Sequence, residues 1–255
     1  MIVKTAPRQS EHPLHRLFRG ASLALALNLA CSLPSAAQDL ITSAKFTEPT
    51  TRYAHGVLGD DVEYGAIELH IQASDGSSQA ITLRLPETRV FEDLSPRLID
   101  LDTDGAPEVV VVESDAALGA RLSVYGPEGL IAATPYIGQR NRWLAPIGAA
   151  DFDGDGFVEL GYIDRPHLAK TLRLWRFKDG KLIEIATKTG LTNHKIGWDF
   201  IAGGLRNCAD TPEMITADAS WSRIIATAYD GTSLSARDIG PYAGPQSLTK
   251  ALSCP

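Results

Sequence analysis

Two nine-residue stretches, Asp100-Leu-Asp102-Thr-Asp104-Gly105-Ala-Pro-Glu108 and Asp151-Phe-Asp153-Gly-Asp155-Gly156-Phe-Val-Glu159, carry acids at the same four offsets and glycine at the sixth. Carboxylates at positions 1, 3 and 5 of such a loop point into one concavity, glycine permits the tight turn, and the acid at position 9 closes the far side. Hard oxygen ligands gathered in this way suit Ca²⁺ better than the softer transition metals. The EF-hand also opens with D-x-D-x-D-G, but it requires a bidentate Glu at position 12 between two helices. Position 12 here is Val111 in one loop and Tyr162 in the other, and Glu108-Val-Val-Val-Val112 and Glu159-Leu-Gly-Tyr-Ile163 favour strand. The bland alternative is a pair of Asp-rich turns that bind nothing. Two loops with the same acidic offsets, in register with a longer repeat, weigh against it.

That longer repeat has a period of about 50 residues, in the range of propeller blades. Strands are predicted at 96–101, 108–113, 120–125 and 130–134, and again at 145–150, 159–163, 171–177 and 181–187. Pro127-Glu128-Gly129 and Asp179-Gly180 form the matching turns. Weaker copies flank this pair. Upstream, residues 66–71 alternate as a half-buried strand should, and 79–85 supply another. The turn before Glu68 keeps Asp60 and Gly65 but has Val62 and Tyr64 at inner ligand positions, so no metal is expected there. Downstream, Ala209-Asp-Thr-Pro212-Glu213 aligns with Asp104-Gly-Ala-Pro107-Glu108, Leu205 and Ala209 replace two acids, and Asn207 survives. Strands at 223–229 and 233–239 about Asp230-Gly231 complete a fourth unit. The expected units are 51–94, 95–137, 145–188 and 198–239, with a tail at 240–255.

Residues 1–37 read as an export signal. Lys4, Arg8, Arg16 and Arg19 precede the apolar run 21–30, and Ser35-Ala36-Ala37 offers small residues for cleavage, so the mature chain would begin near Gln38. The expected location is periplasmic or secreted, and a lipid anchor at Cys31 is the less favoured route because Asn28 stands where such signals prefer an aliphatic residue. No later stretch is long and apolar enough to span a bilayer. The chain carries 24 Lys+Arg against 31 Asp+Glu, a net charge of −7, and loss of four basic residues and one acid with the leader makes it more negative. That balance argues against nucleic acid as a partner. After cleavage only Cys208 and Cys254 remain, an even pair in an oxidising compartment, and they are predicted to form a disulfide that ties the tail to the body.

The segments Leu98-Ile-Asp100-Leu-Asp102-Thr-Asp104-Gly-Ala-Pro-Glu108-Val-Val-Val and Ala149-Ala-Asp151-Phe-Asp153-Gly-Asp155-Gly-Phe-Val-Glu159-Leu-Gly-Tyr resemble the FG-GAP or VCBS-type repeats of integrin-α-like β-propellers. The resemblance implies that each loop joins the first two strands of a blade and binds Ca²⁺ through positions 1, 3, 5 and 9 with the carbonyl of position 7. Carried over, the ligands are Asp100, Asp102, Asp104, the Ala106 carbonyl and Glu108, and then Asp151, Asp153, Asp155, the Phe157 carbonyl and Glu159. The departure is Glu at position 9, where Asp is commoner. The expected fold is an all-β, small β-propeller of four four-stranded blades with calcium loops in the central blades. The segment near 40–46 or the tail would complete its closure. Five blades or an open solenoid are the alternatives.

No catalytic motif stands out: there is no G-x-S-x-G, H-E-x-x-H, phosphate-binding Gly loop or C-x-x-C. His55, His70, His167 and His194 lack metal-ligand spacing and read as surface or packing residues. Two loops, Gln139-Arg140-Asn141-Arg142-Trp143 and Thr192-Asn193-His194-Lys195-Ile-Gly-Trp198, enter their units at comparable places. They offer Arg140, Arg142, Trp143, His194 and Trp198 as a ligand surface, against the favoured alternative that both tryptophans simply pack. Asp115, Arg165, His167, Asp218 and Trp221 lie in loops after the second strands and would permit hydrolase or lyase chemistry on a sugar or phosphoester, although nothing in their spacing demands it. The leading expectation is a binding module for a protein or carbohydrate ligand.

Overall fold

A computed structural model describes residues 39–208 and 211–254 of the chain. The expected leader, with Cys31 and the cleavage point, lies outside the described residues, as do Ala209 and Asp210 of the fourth turn. The first unit supplies β1 (Leu40–Thr50), β2 (Glu63–Gln72) and β3 (Ser78–Arg84). The second supplies β4 (Arg89–Phe91), β5 (Arg97–Ile99), β6 (Glu108–Asp115), β7 (Gly119–Gly126) and β8 (Gly129–Ala133). The third is β9 (Leu144–Ala150), β10 (Glu159–Asp164), β11 (Thr171–Lys178) and β12 (Lys181–Thr189). The fourth is β13 (Leu191–Thr192), β14 (Gly204–Arg206), β15 (Glu213–Asp218), β16 (Arg223–Tyr229) and β17 (Leu234–Pro241), followed by α1 (Pro245–Leu252).

The fold is all-β apart from that short helix, and its strands pair antiparallel in several sheets, none of which closes on itself. The third unit is a plain four-stranded meander, β9-β10-β11-β12. In the second and fourth units the first strand is broken: β4 and β5 both pair with β6, and β13 and β14 both pair with β15. The break between β4 and β5 follows from Pro96, which has no N–H to give a ladder. Across the gap the buried Asp93 carboxylate accepts the Val112 N–H at 2.9 Å, so the exposed rung is satisfied by a side chain.

Strand β6 explains how the sheets stack. Its run of four valines is apolar at every position because both faces are buried. Val109 and Val111 pack with Ile67, Leu69, Ile71 and Phe91, whereas Val110 and Val112 pack with Leu144, Leu160, Trp143 and Trp175 of the third unit. The same division recurs in the fourth unit, where Met214 meets Leu174 and Ile163 while Ile215 and Ala217 turn to the other side. Consecutive sheets therefore share cores in series.

Two expectations require correction. The turn expected before Glu68 is confined to residues 57–61, because Glu63–Gln72 is one continuous strand that contains Gly65 and holds Tyr64 and Glu68 in its ladder with β1. The actual connection, residues 51–62, reaches the end of the structure opposite the two acidic loops, where His55 meets Glu92 beside Ser114 at the end of β6. Among the described residues, neither the segment 40–46 nor the tail bridges the first and last sheets. Strand β1 pairs with β2 of its own unit, and the tail forms α1, whose Leu248 is buried on Ile215, Ala217 and Ile224.

Candidate functional site

The two acidic loops adopt one structure. In each, the position-1 Asp accepts the backbone N–H groups of positions 5 and 6, at 3.1 and 3.0 Å for Asp100 and 3.2 and 2.9 Å for Asp151. The position-9 Glu accepts the N–H of position 2, at 2.9 Å from Leu101 to Glu108 and 3.0 Å from Phe152 to Glu159. Ligand atoms of Asp100, Asp102 and Glu108 lie within 4.8 Å of one another, and so do those of Asp151, Asp153 and Glu159. Asp104 and Asp155 stand outside these groupings. Each accepts a backbone N–H two residues on, from Ala106 at 2.8 Å and from Phe157 at 2.9 Å.

The electrostatics of the two loops differ. Burial holds the Asp102 and Glu108 carboxyls of the first loop and the Glu159 carboxyl of the second above the usual range, so what differs is their basic partners. Among the described residues no basic side chain pairs with Asp100, Asp102 or Glu108, so the first loop fits a calcium ion. In the second loop Arg176 of β11 bonds Asp153 at 2.8 Å, Asp155 at 2.7 Å and Glu159 at 2.6 Å. Nothing in the spacing of the acids signalled that residue; it depends on the β10–β11 register, which sets Arg176 opposite Glu159.

At the other end of the same strands lies a cavity of about 420 Å³, walled by His55, Asn141, Arg142, Trp143, Arg165 and His167 with Leu168 and Ile196 at its rim. The two polar loops do converge here, but not as an open surface. Trp143 is 2% exposed and its Nε1 donates to the Glu92 carbonyl at 2.9 Å, and His194 is 1% exposed with its ring 4.9 Å from that of Trp143. Trp143 is thus a packing residue, whereas Trp198 is half-buried and stacks on Phe200. Arg140 is exposed and lies over Tyr53, while Arg142 is half-buried and lines the cavity.

Two histidines on the cavity wall are held in defined states. His55 Nδ1 shares a hydrogen with Glu92 Oε1 at 2.5 Å, and Ser114 Oγ donates to the other oxygen. Burial pushes the Glu92 carboxyl up, against the pull of His55. His194 Nε2 donates to the Trp198 carbonyl at 3.0 Å, so its Nδ1 is left to accept from His167 Nε2 at 3.0 Å. Burial and the neighbouring His194 push the His167 imidazole down to about 4, so it is neutral at pH 7. Its Nδ1 then carries a free lone pair. The motif search missed His55 and Glu92 because they are far from His167 in sequence and carry no spacing signal.

Residues 100–162, which span both acidic loops and the strands between them, match the FG-GAP-like repeat family. This chain carries an FG-GAP-like repeat. The match begins on the first acid of the first loop and takes in β6 to β9 and most of β10. No curated protein sequence matches the chain.

Proposed function

We propose that this FG-GAP-like chain is an exported, calcium-stabilised binding module of the β-propeller type. Its four sheet units serve as blades, and its working surface lies at the end opposite the metal loops. The observation that carries this reading is the pair of loops with one shared hydrogen-bond pattern and convergent carboxylates inside the matched repeat. Asp100, Asp102 and Glu108 would hold the ion; calcium would neutralise acids that otherwise repel one another, and would stabilise the folded state by linkage. The protein or carbohydrate ligand would enter the cavity beside Arg142, where the apolar rim of Leu168 and Ile196 is 61% and 71% exposed. Native mass spectrometry and thermal melting before and after chelation test the metal. A bound calcium ion and a lowered Tm on chelation are expected, and an unchanged mass and melting curve would refute the reading.

One observation favours a second reading, a hydrolase or lyase acting on a sugar or phosphoester. A buried carboxylate orients His55 on the cavity wall, and neutral His167 offers a lone pair on the same wall. Such a pair can move a proton to and from a bound ligand. Under this reading His167→Ala abolishes turnover, and so does His55→Gln, which can still hydrogen-bond the buried Glu92 carboxyl so that the loss is not one of folding. A binding module would show no turnover in the parent protein.

A further inference from the structure

The two acidic loops have the same acids at the same positions, yet they face different residues across the sheet. Glu159 pairs in register with Arg176, and Leu160 with Trp175. In the second unit Val109 pairs with Tyr125, and one more step along that ladder sets Gly126 opposite Glu108. A glycine therefore stands in the second unit where the third has an arginine. We propose that Arg176 makes the loops unequal: loop 100–108 is the tight calcium site, whereas loop 151–159 is closed by the guanidinium and takes calcium only weakly. This rests on the calcium reading above.

The geometry of the guanidinium supports it. Nε, Nη1 and Nη2 are each spent on a different carboxylate, Glu159, Asp155 and Asp153, at 2.6 to 2.8 Å. These are three of the four acids that the repeat would offer to a metal. Charge-assisted bonds of this length in a partly buried site are strong. An entering ion must displace them or bind beside them, and a unit positive charge about 5 Å from a divalent cation weakens binding by roughly tenfold even at the dielectric constant of water. Lys178, with Nζ 4.4 Å from the Phe157 ring, adds a further positive charge at the loop. The last unit extends the trend. Glu213, which opens β15 as Glu108 and Glu159 open β6 and β10, is held by Arg206 at 2.8 Å and Arg237 at 2.9 Å, in a turn with Leu205, Asn207 and Ala209 at the other three acid positions. Along the chain the strand-opening glutamate thus passes from no cationic partner to one arginine and then to two.

Calcium titration followed by calorimetry and native mass spectrometry, with hydrogen exchange as a local readout, tests the inference. The parent protein should bind one ion tightly and a second at least tenfold more weakly. Arg176→Gln should bring the two affinities to within about threefold of each other. Gly126→Arg, which leaves β11 untouched, should weaken the tight site. Chelation should raise exchange at residues 100–108 and leave 151–159 protected. Two equal sites in the parent, or no change in the second site of Arg176→Gln, would overturn the inference while leaving calcium binding intact. If neither the parent nor the variants bound calcium, the calcium reading itself would fall.

Discussion

Position 4 of both acidic loops has a positive φ, 61° at Thr103 and 77° at Gly154. A β-branched residue is strained in that region, where glycine is at ease. Thr103→Gly should therefore stabilise the protein by about 1 kcal/mol in urea denaturation, and a loss of stability would show that the Thr103 side chain contributes more than its backbone costs. A second residue-scale prediction concerns Glu63, buried at the head of β2. Burial first, and then the charges of Glu92, Asp60, Asp93 and Asp61, push its carboxyl up to about 9. The folded state therefore keeps a proton that the unfolded chain releases near the ordinary carboxylate value. The stability tied to that proton is intact at low pH and is lost as pH rises towards 9. Glu63→Gln should be more stable than the parent at pH 7 by on the order of 2 kcal/mol, with the two converging below about pH 4.5. Denaturation midpoints across pH check this, and a pH-independent difference would refute it.

Among the elements, β7 begins under a loop that allows no side chain. Gly119 has φ 75°, and a Cβ there would sit 2.2 Å from the Gln139 carbonyl oxygen and 2.9 Å from that of Arg142. The loop must lie this low because Arg142 O accepts the Ala120 N–H at 2.8 Å and the Asn141 N–H reaches the Tyr53 hydroxyl at 3.0 Å. These bonds set Trp143 and Arg142 against the cavity. Gly119→Ala should cost roughly 2 kcal/mol or more and lift the 139–142 loop, which faster hydrogen exchange at Asn141 would reveal. An alanine variant as stable as the parent would mean that the loop can move away at little cost.

On the scale of the whole molecule, the stack has two unlike ends. The outer face of the first sheet is polar, with Lys45, Glu68 and His70 forming an exposed hydrogen-bonded cluster. The outer face of the last is covered by α1 and by Trp221 and Tyr242. The Cys208–Cys254 disulfide fastens the chain just beyond that helix to the turn between β14 and β15. Replacing both cysteines with serine should lower stability by about 2–4 kcal/mol and loosen α1 first. Uniform destabilisation with α1 still protected from exchange would contradict a capping role for the bond. Much of this architecture was legible in sequence. Strands β6, β7, β9 to β12 and β16 fall within a few residues of their predicted places, because strands buried on both faces, such as β6 and β10, must be apolar throughout and Asp-Gly turns mark the ends of β11 and β16. The convergence of Asp100, Asp102 and Glu108 was legible for a similar reason, since a turn of fixed length places acids at fixed offsets. Contacts between segments remote in sequence were decided only by the tertiary structure. They include Arg176 against the second loop, His55 against Glu92, β2 running through part of the turn expected before Glu68, and α1 on the last sheet. Local pattern encodes which face of a strand is buried, whereas the partner across a ladder or on the next sheet depends on register and stacking, and no short stretch of sequence contains these.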